Sequence, residues 1–166
     1  HAEPELSLSV LANSYQNQIE TIRNLSFRLP PDTKLVVKDH PRNFCRRKLS
    51  YLNKINQIPN VILIDPRVST RELIKNSHIN IVLSGFIGFE AVILKKPVIT
   101  FSKTIINILS NDMVLNVRNF DEFENKYFDY LKNYKHDEKK LENFITSIVE
   151  SSAPIDLINV LLKKKN

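Results

Sequence analysis

The sequence predicts a doubly wound α/β fold, and three of its features indicate this. Short apolar runs recur without the alternation of apolar and polar residues that marks a half-buried strand, so a parallel sheet covered on both faces is expected. Segments with helical spacing separate these runs, and right-handed crossovers then place helices on both faces. The two glycines of the chain, Gly85 and Gly88, lie at one junction between a run and a helix. We therefore expect a mainly parallel, Rossmann-like sheet of about five strands with helices on both faces and a helical C-terminus.

The predicted strands alternate with helical segments along the chain. Residues Pro4 to Leu29 carry apolar side chains at helical spacing, which predicts one long helix, or a loop and a helix, closed by a pair of prolines. A basic helical stretch covers Arg46 to Ile55, and the capping-box pair Ser69 and Glu72 predicts a helix that ends near Asn76. The strands are expected at Lys34–Lys38, Val61–Ile64, Ile79–Leu83, Pro97–Phe101 and Val114–Val117.

The C-terminal part is predicted to be helical from Phe120 to Lys165, with breaks near Lys135-His136 and Ala153-Pro154. A length of 166 residues fits one domain, so we expect residues 1–166 to form a single domain with a helical tail over about 120–166. Because the chain opens at His1 rather than at a methionine, we expect it to be a piece of a longer protein.

The composition, 42% hydrophobic and 25% charged, is that of an ordinary soluble globular protein. No apolar run approaches the roughly 20 residues that cross a bilayer, and no segment resembles a signal peptide, so the cytoplasm is the expected location. The single cysteine, Cys45, allows neither an internal disulfide nor a zinc site of the clustered cysteine type.

The formal net charge of +6 reflects either a general bias of the composition or an anionic partner. No recognition-module signature accompanies the charge, so nucleic acid is not an expected partner. The tail Lys163–Lys165 is either a solvated terminus or a point of peripheral attraction to the inner face of the plasma membrane.

Ligands of an open parallel sheet bind outside the carboxyl ends of its strands. The first strand delivers Lys38, His40 and Arg42 to this edge, and the third delivers the turn at residues 84–88. Cationic side chains that face the backbone N–H groups of this turn would form an anion site. Alternatively, the Gly-x-x-Gly turn has a packing role, in which the glycines allow a helix to lie close to a strand.

Two residues at this edge have side chains that could take part in binding or catalysis. Pro41 biases His40 away from helix and holds its imidazole at the strand end, where it could donate to a phosphate or supply a proton to a leaving group. Glu90 lies in the first turn of the following helix, where it either accepts hydrogen bonds from ribose hydroxyls or only complements the helix dipole. The sequence contains no metal-ligand cluster and no nucleophile–base pattern, so neither a metal site nor hydrolytic chemistry is expected.

Five segments of the chain, taken together and in this order, form a recognisable pattern. They are His1-Ala2-Glu3-Pro4-Glu5, Val37-Lys38-Asp39-His40-Pro41-Arg42, Ile58-Pro59-Asn60-Val61, Ser84 to Ala91 and Lys96-Pro97-Val98-Ile99. These segments resemble the bacterial capsule polysaccharide biosynthesis family. Its better-understood members are Kdo transferases with the two-domain GT-B glycosyltransferase fold, so the resemblance implies that this chain is their C-terminal, donor-binding half.

The resemblance implies a binding site for a CMP-activated sugar such as CMP-Kdo. His40 would be the catalytic residue, contacting the phosphate and assisting the departure of CMP, while Lys38 and Arg42 would supply positive charge. Arg67, in the loop Pro66-Arg67-Val68, would lie against the base, and Glu90 would bind ribose. Such stabilisation of a leaving group is electrostatic and requires neither a metal nor another cofactor. The residues implied to hold the phosphate through the turn are Ser84, Gly85, Phe86 and Gly88.

Phe86 departs from the family pattern, because many relatives have a small hydroxyl residue there. The glycan or glycolipid acceptor of such enzymes is bound by an N-terminal domain, so this chain alone is expected to be inactive. Two alternatives stay open. One is a glycerophosphotransferase that uses CDP-glycerol, although the sequence Gly88-Phe89-Glu90 argues against it. The other is a non-catalytic scaffolding module of a capsule assembly complex, an alternative that is suggested by Phe86.

Overall fold

The computed structural model of the chain describes residue 1 and residues 7–152. Within these residues, five strands alternate with helices in the predicted order. The strands are β1 (Leu35–Lys38), β2 (Val61–Ile64), β3 (Asn80–Val82), β4 (Val98–Thr100) and β5 (Val114–Asn116), and the α-helices are α1 (Gln18–Arg28), α2 (Leu49–Asn56), α3 (Thr70–Asn76), α4 (Ile87–Ile93), α5 (Phe120–Asn133) and α6 (Glu138–Ser151).

All strand pairs in the described residues are parallel, as predicted. β1 pairs with β2, with Lys38 opposite Ile64. β4 lies between β3 and β5, with Ile99 opposite both Ile81 and Leu115. The ladders form a two-stranded and a three-stranded sheet, whereas one continuous sheet was expected.

A cavity of ≈ 200 Å³ lies beside the strands β1 and β3, which do not pair. All four residues of β1 line it, together with Ile81 of β3 and Leu83, which follows β3. Side chains of α1 and α2 line it as well, so its wall is mostly apolar. Lys38, Asp39 and Arg47 also border the cavity and connect it with the carboxyl edge of β1.

The central strand β4 is covered on both faces. Ile99 and Phe101 belong to a core cluster with Leu25 of α1 and Phe123 of α5. Successive strand residues point to opposite faces, so Val98 faces the other side, where α4 packs. Helices therefore lie on both faces of the sheet, which confirms the doubly wound α/β class.

The start of β4 is tied to α5 by Tyr130. Its buried hydroxyl accepts a hydrogen bond from the N–H of Val98 at 2.9 Å and donates to the carbonyl of Met113 at 2.8 Å. Burial raises the pKa of this hydroxyl, which keeps it protonated and available as a donor. Each such bond stabilises the fold by about 1 kcal/mol.

The N-terminal segment is a loop with short turns followed by a helix, one of the two predicted arrangements. One turn of π-helix (Ser7–Leu11) and a short 3₁₀ helix (Asn13–Tyr15) precede α1. Asn17 caps α1 by accepting from the N–H of Glu20 at 3.2 Å. Leu29 is extended because a proline follows it, and this ends the helix. Residues Pro4 to Leu6 of the predicted segment lie outside the described residues.

Two helix starts and one break were predicted correctly within the described residues. Ser69 caps α3 by accepting from the N–H of Glu72 at 3.4 Å, and α5 begins at Phe120. The break near Lys135-His136 is confirmed by the gap between α5 and α6. The predicted break at Ala153-Pro154 and the tail Lys163–Lys165 lie outside the described residues.

The chain divides into two compact units, His1–His136 and Asp137–Asn166. Helix α5 belongs to the first, where Phe123 and Tyr127 are core residues, so the helical segment predicted over about 120–166 begins with a core helix. The described element of the second unit is α6, capped by the side chain of Asp137, which accepts from the N–H of Lys140 at 3.0 Å. No helix in the described part of the chain is long and apolar enough to cross a membrane.

Candidate functional site

The loop that follows β1 is organised around the carboxylate of Asp39. One oxygen accepts from the backbone N–H of His40 at 2.8 Å and from the side-chain amide of Asn43 at 2.6 Å. The other oxygen accepts from Nε of Arg47 at 3.3 Å. These bonds fix the loop directly at the carboxyl end of β1, where the sequence predicted an anion site.

His40 is held with its ring exposed at this edge. Its backbone is extended, with φ of −66° and ψ of 137°, and Pro41 begins a 3₁₀ turn after it. Nδ1 of the ring accepts from the N–H of Arg42 at 3.1 Å. Because an accepting Nδ1 carries no hydrogen, the hydrogen of the neutral ring lies on Nε2. His40 can therefore donate one hydrogen bond through Nε2 without being cationic.

The two cations beside His40 are placed differently. Lys38, the last residue of β1, donates from Nζ to the hydroxyl of Thr70 at 2.9 Å and so ties this strand to the start of α3. Arg42 is exposed, and no hydrogen bond or ion pair joins its guanidinium to another described residue. Arg42 is thus the more available of the two positive charges.

Arg67, in the loop after β2, is engaged by Asp65. Its Nε lies 3.0 Å from one oxygen of that carboxylate, and its terminal nitrogen lies 2.6 Å from the other. The hydrogen bonds from Arg67 lower the pKa of the Asp65 carboxyl to about 2. The guanidinium also lies over the ring of Phe44, 4.9 Å from its centroid, so the loops after β1 and β2 are in contact.

The turn after β3 contains a buried hydroxyl and an exposed aromatic ring. Ser84 is only 3% exposed, and its Oγ has no hydrogen-bond partner among the residues that the structure describes. Gly85 has a φ of +102°, a conformation that other residues rarely adopt. The side chain of Phe86, by contrast, projects into solvent and is 84% exposed.

Gly88 and Glu90 lie on different sides of α4. A Cβ on Gly88 would lie 2.7 Å from Cδ1 of Ile106 and 3.6 Å from Cγ1 of Val98, so this glycine allows the helix to pack closely on the sheet. This is the packing alternative given above for the Gly-x-x-Gly turn. Glu90 is exposed in the first turn of the helix, and no described residue pairs with its carboxylate.

His1 joins the two parts of the predicted site, although it was not among the predicted site residues. Its carbonyl accepts from Arg47 at 2.9 Å and from Asn43 at 3.3 Å. A Cβ on Gly85 would lie 4.0 Å from Cε1 of its imidazole. His1 thus lies between the loop after β1 and the turn after β3, whereas no hydrogen bond or ion pair joins His40 or Arg42 directly to the described residues 84–90.

The described residues contain no group of three or more His, Cys, Asp or Glu side chains that could hold a metal ion. Cys45 is exposed, with a φ of 59°.

Residues 11–124 match the protein family described as "Capsule polysaccharide biosynthesis protein". This match covers more than half of the 166 residues. The chain belongs to the capsule polysaccharide biosynthesis family. No curated protein and no solved structure matches the chain.

Membership of the capsule polysaccharide biosynthesis family gives the chain a role in capsule synthesis and confirms the family indicated by its sequence motifs. All the predicted site residues, from Lys38 to Glu90, lie inside the matched segment. His1 lies outside it.

Proposed function

We propose that this domain binds the CMP-activated sugar donor of a capsule glycosyltransferase, as the C-terminal half of a GT-B enzyme. The observation that carries the proposal is the geometry of His40. Its ring is exposed at the carboxyl edge of β1, and the hydrogen bond from Arg42 to Nδ1 directs the remaining ring hydrogen to Nε2. A fixed, outward donor beside an exposed arginine suits a phosphate oxygen.

In the proposed reaction, the bond between the sugar's anomeric carbon and the phosphate oxygen breaks, and its electron pair stays on that oxygen. The departing CMP therefore gains negative charge. The Nε2 hydrogen of His40 and the positive charges of Arg42 and Lys38 would stabilise this charge more strongly as it develops. The acceptor hydroxyl would supply the new oxygen, with its proton taken by a base on an N-terminal half of the protein.

The turn after β3 would hold the same phosphate from the other side. Gly85 leaves the backbone without a side chain beside His1, and the unpartnered hydroxyl of Ser84 would gain a partner when the ligand binds. A buried hydroxyl without a hydrogen bond costs about 1–3 kcal/mol, so such a gain favours the bound state. The exposed carboxylate of Glu90 would accept hydrogen bonds from the ribose.

The test is calorimetric titration of the domain with CMP, CMP-Kdo, CDP-glycerol and UDP. CMP and CMP-Kdo should bind, and His40→Ala and Glu90→Ala should each weaken CMP binding by at least about 1 kcal/mol, or about fivefold. The control is His78→Ala, because His78 is an exposed histidine before β3, at the opposite edge of the sheet. Absence of binding at millimolar CMP by the folded domain, or CMP affinity unchanged from the wild type in both site variants, would refute the proposal.

A second candidate function is a scaffolding module with a degenerate nucleotide site. The observation that favours it is Phe86, whose ring is 84% exposed beside the partly exposed Ile87, an apolar surface suited to a protein partner. Phe86→Ser distinguishes the two functions. If the wild-type domain does not bind CMP and this variant does, the scaffolding function is favoured.

A further inference from the structure

The loop that follows β4 is fixed against the end of β3. The hydroxyl of Ser102 donates to the carbonyl of Leu83, the residue before the buried Ser84. The carbonyl of Ser102 accepts from the side-chain amide of Asn116, at the end of β5, at 3.0 Å. Ser102 is therefore bonded on both sides, and Lys103 follows it at a fixed point next to the turn after β3.

The continuation of this loop is ordered by another side-chain amide. Thr104 and Asn107 form a capping box, in which Oδ1 of Asn107 accepts from the N–H of Thr104 at 2.6 Å. The amide nitrogen of Asn107 donates to the hydroxyl of Thr100 at 2.8 Å, and Thr100 is fully buried in β4. The backbone is thus held on both sides of Lys103, so its side chain starts from a defined position beside the turn.

Lys103 carries a positive charge that the proposed phosphate site does not use. Its side chain is exposed, and no hydrogen bond or ion pair joins its ammonium group to another described residue. It is also the only Lys or Arg in residues 80–94 and 97–117, which contain β3, β4, β5 and the loops after β3 and β4. A ligand whose phosphate is held by the turn after β3 would therefore have a separate, unpaired cation beside it.

We propose that Lys103 recognises a carboxylate of the donor sugar, on the carbon that is bonded to the phosphate oxygen. This inference rests on the proposed function and adds the residue that would distinguish a ulosonic acid from a neutral sugar. The carboxylate and the phosphate of such a donor are attached to the same carbon, so a cation beside the phosphate turn would also lie beside the carboxylate. An ammonium group forms charge-assisted hydrogen bonds with a carboxylate, and a neutral sugar offers no such partner.

The test compares two stable diesters, cytidine 5′-(carboxymethyl phosphate) and cytidine 5′-(ethyl phosphate). The first carries a carboxylate on the carbon bonded to the phosphate oxygen, and the second carries a methyl group there. Affinities are measured by NMR titration of the wild-type domain and its variants. We expect the wild type to bind the carboxymethyl ester at least about fivefold more tightly than the ethyl ester. Lys103→Met should abolish this preference and leave the affinity for the ethyl ester unchanged.

Two further variants separate a local contact from the overall charge. Lys103→Arg keeps the positive charge and should keep the preference for the carboxymethyl ester. Lys132→Met is the matched control, because Lys132 is an exposed lysine on α5, whose Tyr130 bonds to the start of β4 at the opposite edge of the sheet. This variant removes the same charge and should change neither affinity.

CDP-glycerol is titrated alongside the two esters, because its second anionic group is a phosphate. Lys103→Met should weaken CDP-glycerol no more than it weakens the carboxymethyl ester. A larger loss for CDP-glycerol would mean that the lysine serves a second phosphate, and it would overturn the assignment to a carboxylate.

Each other outcome overturns the inference in a distinct way. If the wild type binds both esters equally, no carboxylate subsite exists, although the proposed phosphate site stands. If Lys103→Met weakens both esters to the same extent, Lys103 acts on the phosphate. If Lys132→Met reduces the preference as much as Lys103→Met does, the overall charge explains it. If neither ester binds the folded wild-type domain, the proposed function fails together with the subsite.

Discussion

The side chains of Asp39 and Arg47 form an ion pair, with 3.3 Å between Oδ2 and Nε, in which they are only 12% and 14% exposed. Arg47 also lies over the ring of Tyr51, 4.4 Å from its centroid, and donates to the carbonyl of His1. This partly buried pair therefore connects the loop that presents His40, the helix α2 and the first residue of the chain. Ion pairs that are largely withdrawn from water are costly to break.

We expect Asp39→Asn to lower the free energy of unfolding by about 2 kcal/mol, because it removes the charge from the ion pair with Arg47 and weakens the hydrogen bonds that order the loop after β1. The measurement is urea denaturation followed by circular dichroism. The control is Glu124→Gln, which removes an exposed ion-pair carboxylate on α5 and should change stability by less than about 0.5 kcal/mol. Equal effects of the two substitutions would mean that the Asp39 pair has no special structural role.

Ser84 and Ser102 provide a matched pair of buried serines. The hydroxyl of Ser102 donates to the carbonyl of Leu83, whereas that of Ser84 has no partner among the described residues. Ser102→Ala should therefore cost about 1 kcal/mol of stability, and Ser84→Ala should be neutral or slightly stabilising without a ligand. The effect on CMP affinity should be the opposite of the effect on stability, because Ser84→Ala should weaken CMP binding about fivefold. A destabilising Ser84→Ala variant with unchanged CMP affinity would contradict this prediction.

The strands and several helix starts could be predicted from the sequence because their signals are local. Val61–Ile64 is an unbroken apolar run between turn residues, and the structure places β2 over those four residues. The pair of Ser69 and Glu72 likewise marks the start of α3 through bonds within one turn. The short 3₁₀ helix at Ile105–Ile108 was not predicted, although Thr104 and Asn107 form a capping box at its start.

The site was only partly predictable because its parts meet through long-range contacts. No periodicity links His1 to Gly85, which lie together because Arg47 and Asn43 hold the carbonyl of His1. The different roles of the two glycines also depend on tertiary packing. Gly88 faces Ile106, which lies in a segment that was not predicted as a helix, whereas Gly85 needs its glycine for its positive φ.

The contact between Gly88 and Ile106 leads to a test by double substitution. A Cβ at position 88 would meet Cδ1 of Ile106 at 2.7 Å, so Gly88→Ala should cost about 1–3 kcal/mol. Ile106→Val removes that methyl group, and the double variant should be more stable than the sum of the single effects predicts, by at least about 0.5 kcal/mol. Gly85→Ala is the comparison, because its cost arises from the backbone and Ile106→Val should not relieve it. Additive effects at positions 88 and 106 would contradict the packing role.

The pH dependence of stability should be traceable to Glu122 on α5. Its carboxylate accepts from Nζ of Lys126 at 2.6 Å and from the backbone N–H of Arg118 at 2.8 Å, and its side chain is only 13% exposed. These hydrogen bonds lower its pKa to about 2. Because the folded-state pKa lies below the unfolded value, its contribution is fully present above pH of about 4.5 and is lost as the pH falls towards 2.

We therefore expect Glu122→Gln to cost about 1 kcal/mol of stability at pH 7, and we expect this difference from the wild type to shrink between pH 4.5 and 2. The measurement is urea denaturation at pH 7, 4 and 2.5 for both proteins. Asp129→Asn is the control, since this exposed carboxylate on the same helix has no ion pair with another described residue, and its variant should follow the wild type at every pH. A difference for Glu122→Gln that stays constant down to pH 2.5 would show that the side chain stabilises α5 by packing, and that its charge contributes little.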